Sequence, residues 1–228
     1  MPAEPKIAAV IPAAGSGSRM RSDVPKQYLA VHGKTLLQYA VEAVQNDPRV
    51  AHVFIAVNEQ QHPISAKSVA DISFVAGGKT RAESVLSGVL HAINQGYSHV
   101  LVHDAARPGL PASILTEVID VGVSSDNGAI VAMPVRDSLK RSEPDQTIIS
   151  QSVARDDLWQ AQTPQIFAAE LLADAISEVG IDNPNLTDEA SAMEAMGYHP
   201  RLVMGSLDNI KVTHPDDLRW VATILKPS

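Results

Sequence analysis

Short apolar segments of strand length recur along the chain and alternate with amphipathic segments. They lack the apolar and polar alternation of a sheet with one face in water, so we expect strands that are covered on both faces. These segments are residues 7–11, 52–57, 72–76, 99–104 and 129–134. Helical periodicity is found over residues 35–45, 81–96, 111–122 and 168–180. Alternation of strands and helices predicts an α/β fold with a doubly wound, mostly parallel sheet and right-handed crossovers.

The alternation stops between about residues 134 and 165. This stretch is polar, contains the turn-like "SEPDQ" and includes the alternating run "TIISQSV". Such a pattern predicts a β-hairpin that leaves the main sheet. Because excursions of this size in compact domains usually serve a ligand or a partner, we expect this arm to have a function.

The C-terminal third returns to regular structure. Thr187 has the chemistry of a helix N-cap, and the next two residues are acidic, which suits the first turn of a helix. The runs 201–205 and 209–213 are strand-like, and Pro215 opens a final helix.

Composition restricts the class of protein. With 228 residues, 45% of them hydrophobic, we expect a single domain over residues 1–228. The net charge of −8 argues against a nucleic-acid-binding surface. The chain has no cysteine, which excludes disulfides and thiolate metal sites. Its first apolar run is too short for a secretion signal or a membrane span, so we expect a soluble, cytoplasmic protein with no membrane partner.

The loop after the first strand, "PAAGSGSRMRSDVPKQ", contains glycines that expose backbone amides to an anion. Two known phosphate-binding patterns do not fit it. The dinucleotide fingerprint requires glycine where the chain has Met20, and the P-loop requires glycine at Tyr28 or at Ser73, upstream of the two "GKT" runs.

Two cations, Arg19 and Lys26, belong to the same loop. Arginine binds phosphate oxygens through a planar fork and lysine acts as a mobile point charge, so together they suit a polyphosphate. We therefore predict a triphosphate-binding loop; the alternative is an ordinary solvated surface turn.

The segments "PAAGSGSRM" and "PKQYL" resemble the signature of the nucleotidyltransferases with a Rossmann-like sheet. Within them, the chain resembles the 2-C-methyl-D-erythritol 4-phosphate cytidylyltransferases of the non-mevalonate isoprenoid pathway. Further supporting segments, in the family's order, are "GGKTRAES" (77–84), "VLVHDAARP" (100–108), "PVRDSLKR" (134–141), "AQTPQIF" (161–167), "TDEASAMEAMGYHP" (187–200) and "DNIKVT" (208–213).

The resemblance implies a Rossmann-like sheet with a protruding β-hairpin dimerisation arm, and transfer of CMP from CTP to 2-C-methyl-D-erythritol 4-phosphate with release of pyrophosphate. Negative charge accumulates on the α-phosphoryl oxygens in the transition state, so catalysis requires mainly cations and alignment. The implied catalytic residues are Arg19, Lys26 and Lys211. Without the resemblance, Lys211 would read equally well as a strand lysine that faces solvent.

The resemblance also implies two groups of binding residues. The nucleotide-binding group is Pro12, Ala13, Ala14, Gly15, Gly17, Gly78, Ser84, Asp104 and Ala105. The group that binds the alcohol phosphate is Asp104, Arg107, Ser138, Arg155 and Thr163. Arg155 and Thr163 match arm residues that reach into a neighbouring subunit's site, which implies a homodimer. Ser138 stands where the family often carries threonine.

Metal chemistry is implied only through the nucleotide. A triphosphate implies Mg²⁺, which usually keeps its waters and binds substrate phosphates, so we name no protein ligand. His99 and His103 invite a metal interpretation, but four residues of strand span roughly 13 Å, too far for one ion.

Three alternatives remain open. Ribitol 5-phosphate cytidylyltransferases share the first loop and the "DNIKVT"-like segment. A non-catalytic nucleotide-sensing domain should lack one of Arg19, Lys26 and Lys211, and all three are present. If the arm served assembly only, Arg155→Ala would weaken a dimer without changing the KM of the alcohol phosphate.

Overall fold

The computed structural model describes residues 4–15, 24–58 and 71–225, so Gly17 and Arg19 lie outside the described residues. Its strands are β1 (Ile7–Pro12), β2 (Ala30–Val31), β3 (Lys34–Thr35), β4 (Val50–Val57), β5 (Ile72–Ala76), β6 (His99–Val102), β7 (Ala129–Pro134), β8 (Leu139–Ser142), β9 (Ile149–Val153), β10 (Trp159–Ala168) and β11 (Arg201–Met204). Its helices are α1 (Leu36–Val44), α2 (Arg81–Asn94), α3 (Ala112–Val123), α4 (Ala169–Val179), α5 (Glu189–Ala195) and α6 (Pro215–Ile224).

Seven strands form the central sheet in the order β11-β7-β10-β6-β1-β4-β5. Every neighbouring pair is parallel except the two that involve β10, which runs antiparallel to both β6 and β7. The chain passes from β1 to β4 and β5 on one side and then to β6 on the other. This reversal creates a crevice at the carboxyl ends of β1 and β6, which is where open α/β sheets bind ligands.

Both faces of the sheet are covered, as the continuous apolar runs predict. Along β1, Ile7, Ala9 and Ile11 belong to the core on the side of α1 and α3, whereas Ala8 and Val10 belong to the core on the side of α2 and α4. Gly88 lets α2 approach the sheet closely, because a Cβ at this position would lie 2.5 Å from Val10 Cγ1. No helix among the described residues is long and apolar enough to cross a membrane.

The N-caps of two helices bear on the site. Thr80 caps α2, with its side chain accepting a hydrogen bond from the Glu83 amide. The cap of α5 was predicted one residue too early: Asp188, not Thr187, caps the helix and forms a reciprocal capping box with Ser191. A serine at the third position therefore completes the cap in place of the usual Glu or Gln.

The arm is shorter than the predicted range of 134–165. Strands β8 and β9 pair antiparallel in a separate two-stranded sheet, and residues from Trp159 onwards return to the central sheet as β10. Thr163 therefore belongs to the central sheet rather than to the arm. The strand predicted over residues 209–213 is also wrong, because the segment is a 3-10 turn (Leu207–Asn209) followed by irregular backbone.

Candidate active site

A cleft of about 310 Å³ opens beyond the carboxyl ends of β1 and β6. This is the topological switch point of the sheet, the usual ligand site of such folds. The lining residues are Pro12, Ala13, Gly15, Lys26, Gln27, Gly78, Lys79, Thr80, Arg81, Ser84, Asp104, Ala105, Ala106, Lys211 and Thr213. Most of the residues that the sequence nominated are thus brought together. Ala14 is not among the lining residues, and its side chain lies against Gly77.

Gln27 fixes the shape of the loop that leaves β1, a role that the sequence analysis missed. Its side-chain amide donates to the carbonyl oxygens of Ala13 and Gly15, at 2.7 and 2.8 Å. The Ala13 amide donates in turn to the Ala56 carbonyl at the end of β4. With these carbonyls held by one buried side chain, the loop has a fixed conformation at the edge of the cleft.

Lys26 and Lys211, which lie far apart in the sequence, meet at one side of the cleft. Lys26 Nζ donates to the Val212 carbonyl oxygen at 3.0 Å, and the Val212 amide donates to the Ala106 carbonyl at 2.9 Å. The irregular segment that carries Lys211 is therefore tied both to the first loop and to the turn after β6.

Asp104 follows β6 and is the one carboxylate among the described residues that line the cleft. Its Oδ1 lies 3.1 Å from Arg81 Nε, and its Oδ2 lies 2.8 Å from Lys211 Nζ and 3.4 Å from Arg107 Nε. Burial tends to raise the pKa of Asp104, but the charges of Arg81, Lys211 and Arg107 outweigh burial and hold the pKa far below its usual value. Asp104 is therefore ionised and holds three cations in place.

Arg81, the first residue of α2, bridges Asp104 to a second buried carboxylate. Its Nη1 and Nη2 donate to the two oxygens of Glu189 at 2.6 and 3.1 Å, and Glu189 is only 2% exposed. Burial lowers the pKa of Arg81, but Glu189 and Asp104 raise it by more. Sequence reasoning placed Glu189 in the first turn of a helix and did not detect this pair.

The charges in this network do not cancel. Three cations (Arg81, Arg107 and Lys211) face two carboxylates (Asp104 and Glu189), which leaves one positive charge. The positive end of α2 also points into the cleft, since Thr80 and Arg81 line it. The cleft is therefore built to accept an anion.

Ser84 lines the cleft and is buried. Its hydroxyl accepts from the Gly78 amide at 3.0 Å and donates to the Thr80 carbonyl at 3.0 Å. The Gly78 N–H is consequently occupied within the protein, and its carbonyl is the group left for a ligand.

Arg107 and Thr163 line an adjoining depression of about 160 Å³, together with Asp104 and Lys211. Arg107 Nη1 donates to the Asn209 carbonyl at 2.7 Å. Asn209 is completely buried, and its side-chain amide donates to Thr163 O at 2.7 Å and to Gln162 Oε1 at 3.1 Å. The 3-10 turn before Lys211 is thereby fastened to β10.

Ser138 and Arg155 are exposed and lie outside the lining of the cleft and of the adjoining depression. Within one chain, the structure does not bring them to the other nominated residues.

Among the described residues, no group of three or more His, Cys, Asp or Glu side chains could enclose a metal ion. The donor set of the cleft, with one carboxylate already held by cations, suits a magnesium ion whose oxygens come mainly from phosphates and water.

The family model that describes 2-C-methyl-D-erythritol 4-phosphate cytidylyltransferase matches residues 7–227. A protein of that name from Idiomarina loihiensis is 54% identical over 225 residues, covering 94% of this chain and 89% of the relative. One from Klebsiella pneumoniae is 48% identical over 217 residues, covering 94% and 91%. The crystal structure of the Francisella tularensis enzyme of that name superimposes with a TM-score of 0.82 at 32% identity, covering 96% of this chain and all 100% of that one.

These relatives favour methylerythritol phosphate over ribitol phosphate as the acceptor. Taken with the cleft, they also argue against a domain without catalytic activity. The chain belongs to the family of 2-C-methyl-D-erythritol 4-phosphate cytidylyltransferases.

Proposed function

We propose that the cleft beside Lys26 and Lys211 is where this cytidylyltransferase transfers CMP from CTP to 2-C-methyl-D-erythritol 4-phosphate. The observation that carries the proposal is the surplus of positive charge at the carboxyl ends of β1 and β6, beside the loop that Gln27 holds. A triphosphate and a phosphomonoester are both strongly anionic, so this environment favours bringing them together.

The reaction needs alignment rather than a nucleophilic side chain. A phosphate oxygen of the alcohol attacks the α-phosphorus of CTP, the new P–O bond forms, and the bond from the α-phosphorus to its bridging oxygen breaks. Pyrophosphate leaves with the electron pair of that bond. Lys26 and Lys211, with Arg19 from outside the described residues, balance the charge that develops on the α-phosphoryl group.

Asp104 acts first as an organiser of cations. Its contacts with Arg81, Arg107 and Lys211 hold these three side chains around one carboxylate. In the same position, next to Ala105 in the lining of the cleft, its carboxylate can accept from a ribose or polyol hydroxyl.

Backbone groups suit the recognition of cytosine. Ala13, Gly15 and Gly78 line the cleft, and Ser84 fixes the Gly78 peptide. Fixed peptide groups distinguish a pyrimidine from a larger base by shape and by hydrogen-bond pattern. Of the described residues that line the cleft, Asp104 is the nearest candidate to touch the shell of a Mg²⁺ ion, which would neutralise phosphate charge when bound.

The arm, comprising β8, β9, their connection and the flanking residues between β7 and β10 (135–158), fits a role between two copies of the chain. It carries Ser138 and Arg155, which are needed for the acceptor by resemblance but do not line this chain's own cleft. It also exposes Ile148 and Ile149, at 60% and 62% of their surface. We infer a cytoplasmic homodimer in which each arm completes the partner's site.

The function is tested by measuring pyrophosphate release from CTP with Mg²⁺, offering methylerythritol phosphate and ribitol 5-phosphate in parallel. We expect release with methylerythritol phosphate and none above background with ribitol phosphate. Release with ribitol phosphate instead would support cytidylyl transfer but refute methylerythritol phosphate as the acceptor. No release with either would overturn the proposed function.

Arg155→Ala tests the arm. We expect the KM of methylerythritol phosphate to rise about tenfold or more, with the dimer intact, because a lost charge-assisted contact with a phosphate weakens binding by at least this factor. Sedimentation measures the oligomeric state of the same sample. Arg141→Ala is the matched control, since Arg141 is also exposed on the arm but was not assigned to the acceptor. A weakened dimer with an unchanged KM would mean that Arg155 serves assembly only.

A further inference from the structure

His103, between β6 and Asp104, is completely buried and does not line the cleft. Both of its ring nitrogens have partners within the protein. Nε2 lies 3.0 Å from the Arg107 carbonyl oxygen, and Nδ1 lies 3.0 Å from Thr163 Oγ1. The proposed reaction makes no use of this imidazole, so its position needs another explanation.

These contacts determine the tautomer. The Arg107 carbonyl can only accept, so Nε2 carries the hydrogen and donates to it. Nδ1 then has a lone pair and accepts from the Thr163 hydroxyl, while Thr163 Oγ1 accepts from the Asp104 amide at 2.9 Å. Each donor has one acceptor. Burial lowers the pKa of His103 to about 4, so the ring is neutral near pH 7 and this pattern is maintained.

The two ends of this chain of hydrogen bonds are the amide of Asp104 and the carbonyl of Arg107. These residues also close a turn, because the Arg107 amide donates to the Asp104 carbonyl at 3.0 Å. The turn is thus closed by a hydrogen bond within its own backbone, and His103 and Thr163 bind its two ends. Its two charged residues face the cleft and the adjoining depression.

We propose that His103 is a positioning residue that, through Thr163 and the Arg107 carbonyl, locks the turn 104–107 so that Asp104 and Arg107 meet the substrates in a fixed geometry. The expected effect on catalysis rests on the proposed function, whereas the expected effect on the turn itself does not. A displacement of about 1 Å in a group that aligns reactants can reduce the rate by about 10²-fold, so loss of the rigid turn should lower the reaction rate measurably.

The same contacts change the role expected of Thr163. Its hydroxyl hydrogen is donated to His103, its oxygen accepts from Asp104, and the residue is only 3% exposed. We therefore assign Thr163 to the support of this turn in its own chain, rather than to donation of a hydrogen bond to the alcohol phosphate.

Two substitutions separate the two contacts of the imidazole. His103→Asn places an amide near Nδ1 and loses the donor to Arg107, whereas His103→Gln can keep a donor near Nε2 and loses the acceptor for Thr163. We expect kcat/KM for methylerythritol phosphate to fall about 10²-fold in His103→Asn, with a smaller fall in His103→Gln.

Thr163→Val removes the hydroxyl at nearly constant shape and should reduce kcat/KM. Thr163→Ser keeps the hydroxyl, so its kcat/KM should stay near the wild-type value. Thr116→Val is the matched control: Thr116 donates to Asp47 Oδ2 at 3.1 Å in a cluster with Arg49, and none of the three lines the cleft. It loses one partly buried hydrogen bond and should retain full activity. Values of kcat/KM for His103→Asn and His103→Gln within twofold of wild type would overturn the proposal.

Amide hydrogen exchange in the protein without substrates gives a result that does not depend on turnover. We expect the Arg107 amide to exchange at least about tenfold faster in His103→Asn, and the Asp104 amide at least about tenfold faster in Thr163→Val, with neither altered in Thr116→Val. Unchanged rates at both amides would show that His103 does not lock the turn, whether or not the enzyme is active. An inactive wild-type protein with accelerated exchange in the variants would count against the proposed function and not against the lock.

Discussion

Lys26→Met lowers kcat by about 10²- to 10³-fold while the protein stays folded, the expected result for losing one preorganised charge at a transition state. Lys26 has an ammonium group held by the Val212 carbonyl at the edge of the cleft, so it is in place before the nucleotide arrives. Methionine keeps most of the length of the side chain and removes the charge. The measurement is steady-state pyrophosphate release at saturating CTP and methylerythritol phosphate, with far-UV circular dichroism to confirm folding.

Lys34→Met is the control for this result. Lys34 is ion-paired with Glu42 at 2.9 Å and does not line the cleft, so the same substitution removes a charge without touching the site. We expect wild-type kcat in this variant. Equal losses in both variants would point to a general effect of net charge, and a normal kcat in Lys26→Met would remove Lys26 from the catalytic group.

Arg81→Met has the largest expected effect on stability. It leaves Glu189 buried without its bidentate partner and removes one of the three cations around Asp104. Removal of one partner from a buried ion pair typically costs 3–5 kcal/mol, and the 30% exposure of the Arg81 side chain favours the lower end, about 3 kcal/mol. Urea unfolding with linear extrapolation measures the free energy of unfolding.

Two further variants test whether charge causes this loss. Arg81→Met with Glu189→Met removes both partners of the buried pair and should recover part of the stability. Arg49→Met disrupts a bridge between Asp47 and Asp120. Asp47 is also buried, but it keeps the hydrogen bonds from the Thr116 hydroxyl and from the backbone amide of residue 49, and Asp120 is 59% exposed, so water replaces its lost partner. We expect a smaller loss and normal turnover there. A double variant no more stable than Arg81→Met would refute the explanation from an unpaired buried charge.

The apolar runs were sufficient to predict six of the central strands, even the edge strand β11, in which only Val203 is buried. They were not sufficient for β10. That strand contains Gln162, Thr163 and Gln165, and all three are buried. Each is bound by partners from distant segments; Gln165, for example, donates to Asp188 at 2.9 Å and accepts from the Ala190 amide. Hydrogen bonds from distant segments satisfy the buried polar side chains of this strand. Its sequence therefore lacks the apolar pattern from which a buried strand is predicted.

The misassigned strand around Lys211 has a related cause. Alternation in "NIKVT" is typical of a half-buried strand, but the segment finds its partners outside any ladder. Asn209 donates to Thr163 O, and the Val212 amide donates to the Ala106 carbonyl. Side-chain and single backbone contacts of this kind fix the conformation of an irregular segment. Which contacts form cannot be predicted from the composition of five residues.

Most of the nominated residues that the structure describes line the cleft, whereas the residues that hold them in place were not predicted. Lys26, Asp104 and Lys211 carry charge in apolar or glycine-rich surroundings, which is visible in the sequence. Glu189 neutralises Arg81 from 108 positions away, and Gln27 acts on backbone carbonyls. Neither kind of contact leaves a local pattern. Pairing across such distances depends on the topology that brings α2 and α5 together.

A crystal structure of the protein with CTP and Mg²⁺ would show directly whether the cleft holds the triphosphate of CTP. We expect phosphate oxygens within about 3 Å of Lys26 Nζ, beside the loop at Gly15 and the N-terminus of α2. A triphosphate bound outside this cleft, with Lys26 and Lys211 still engaged only by the protein, would contradict it.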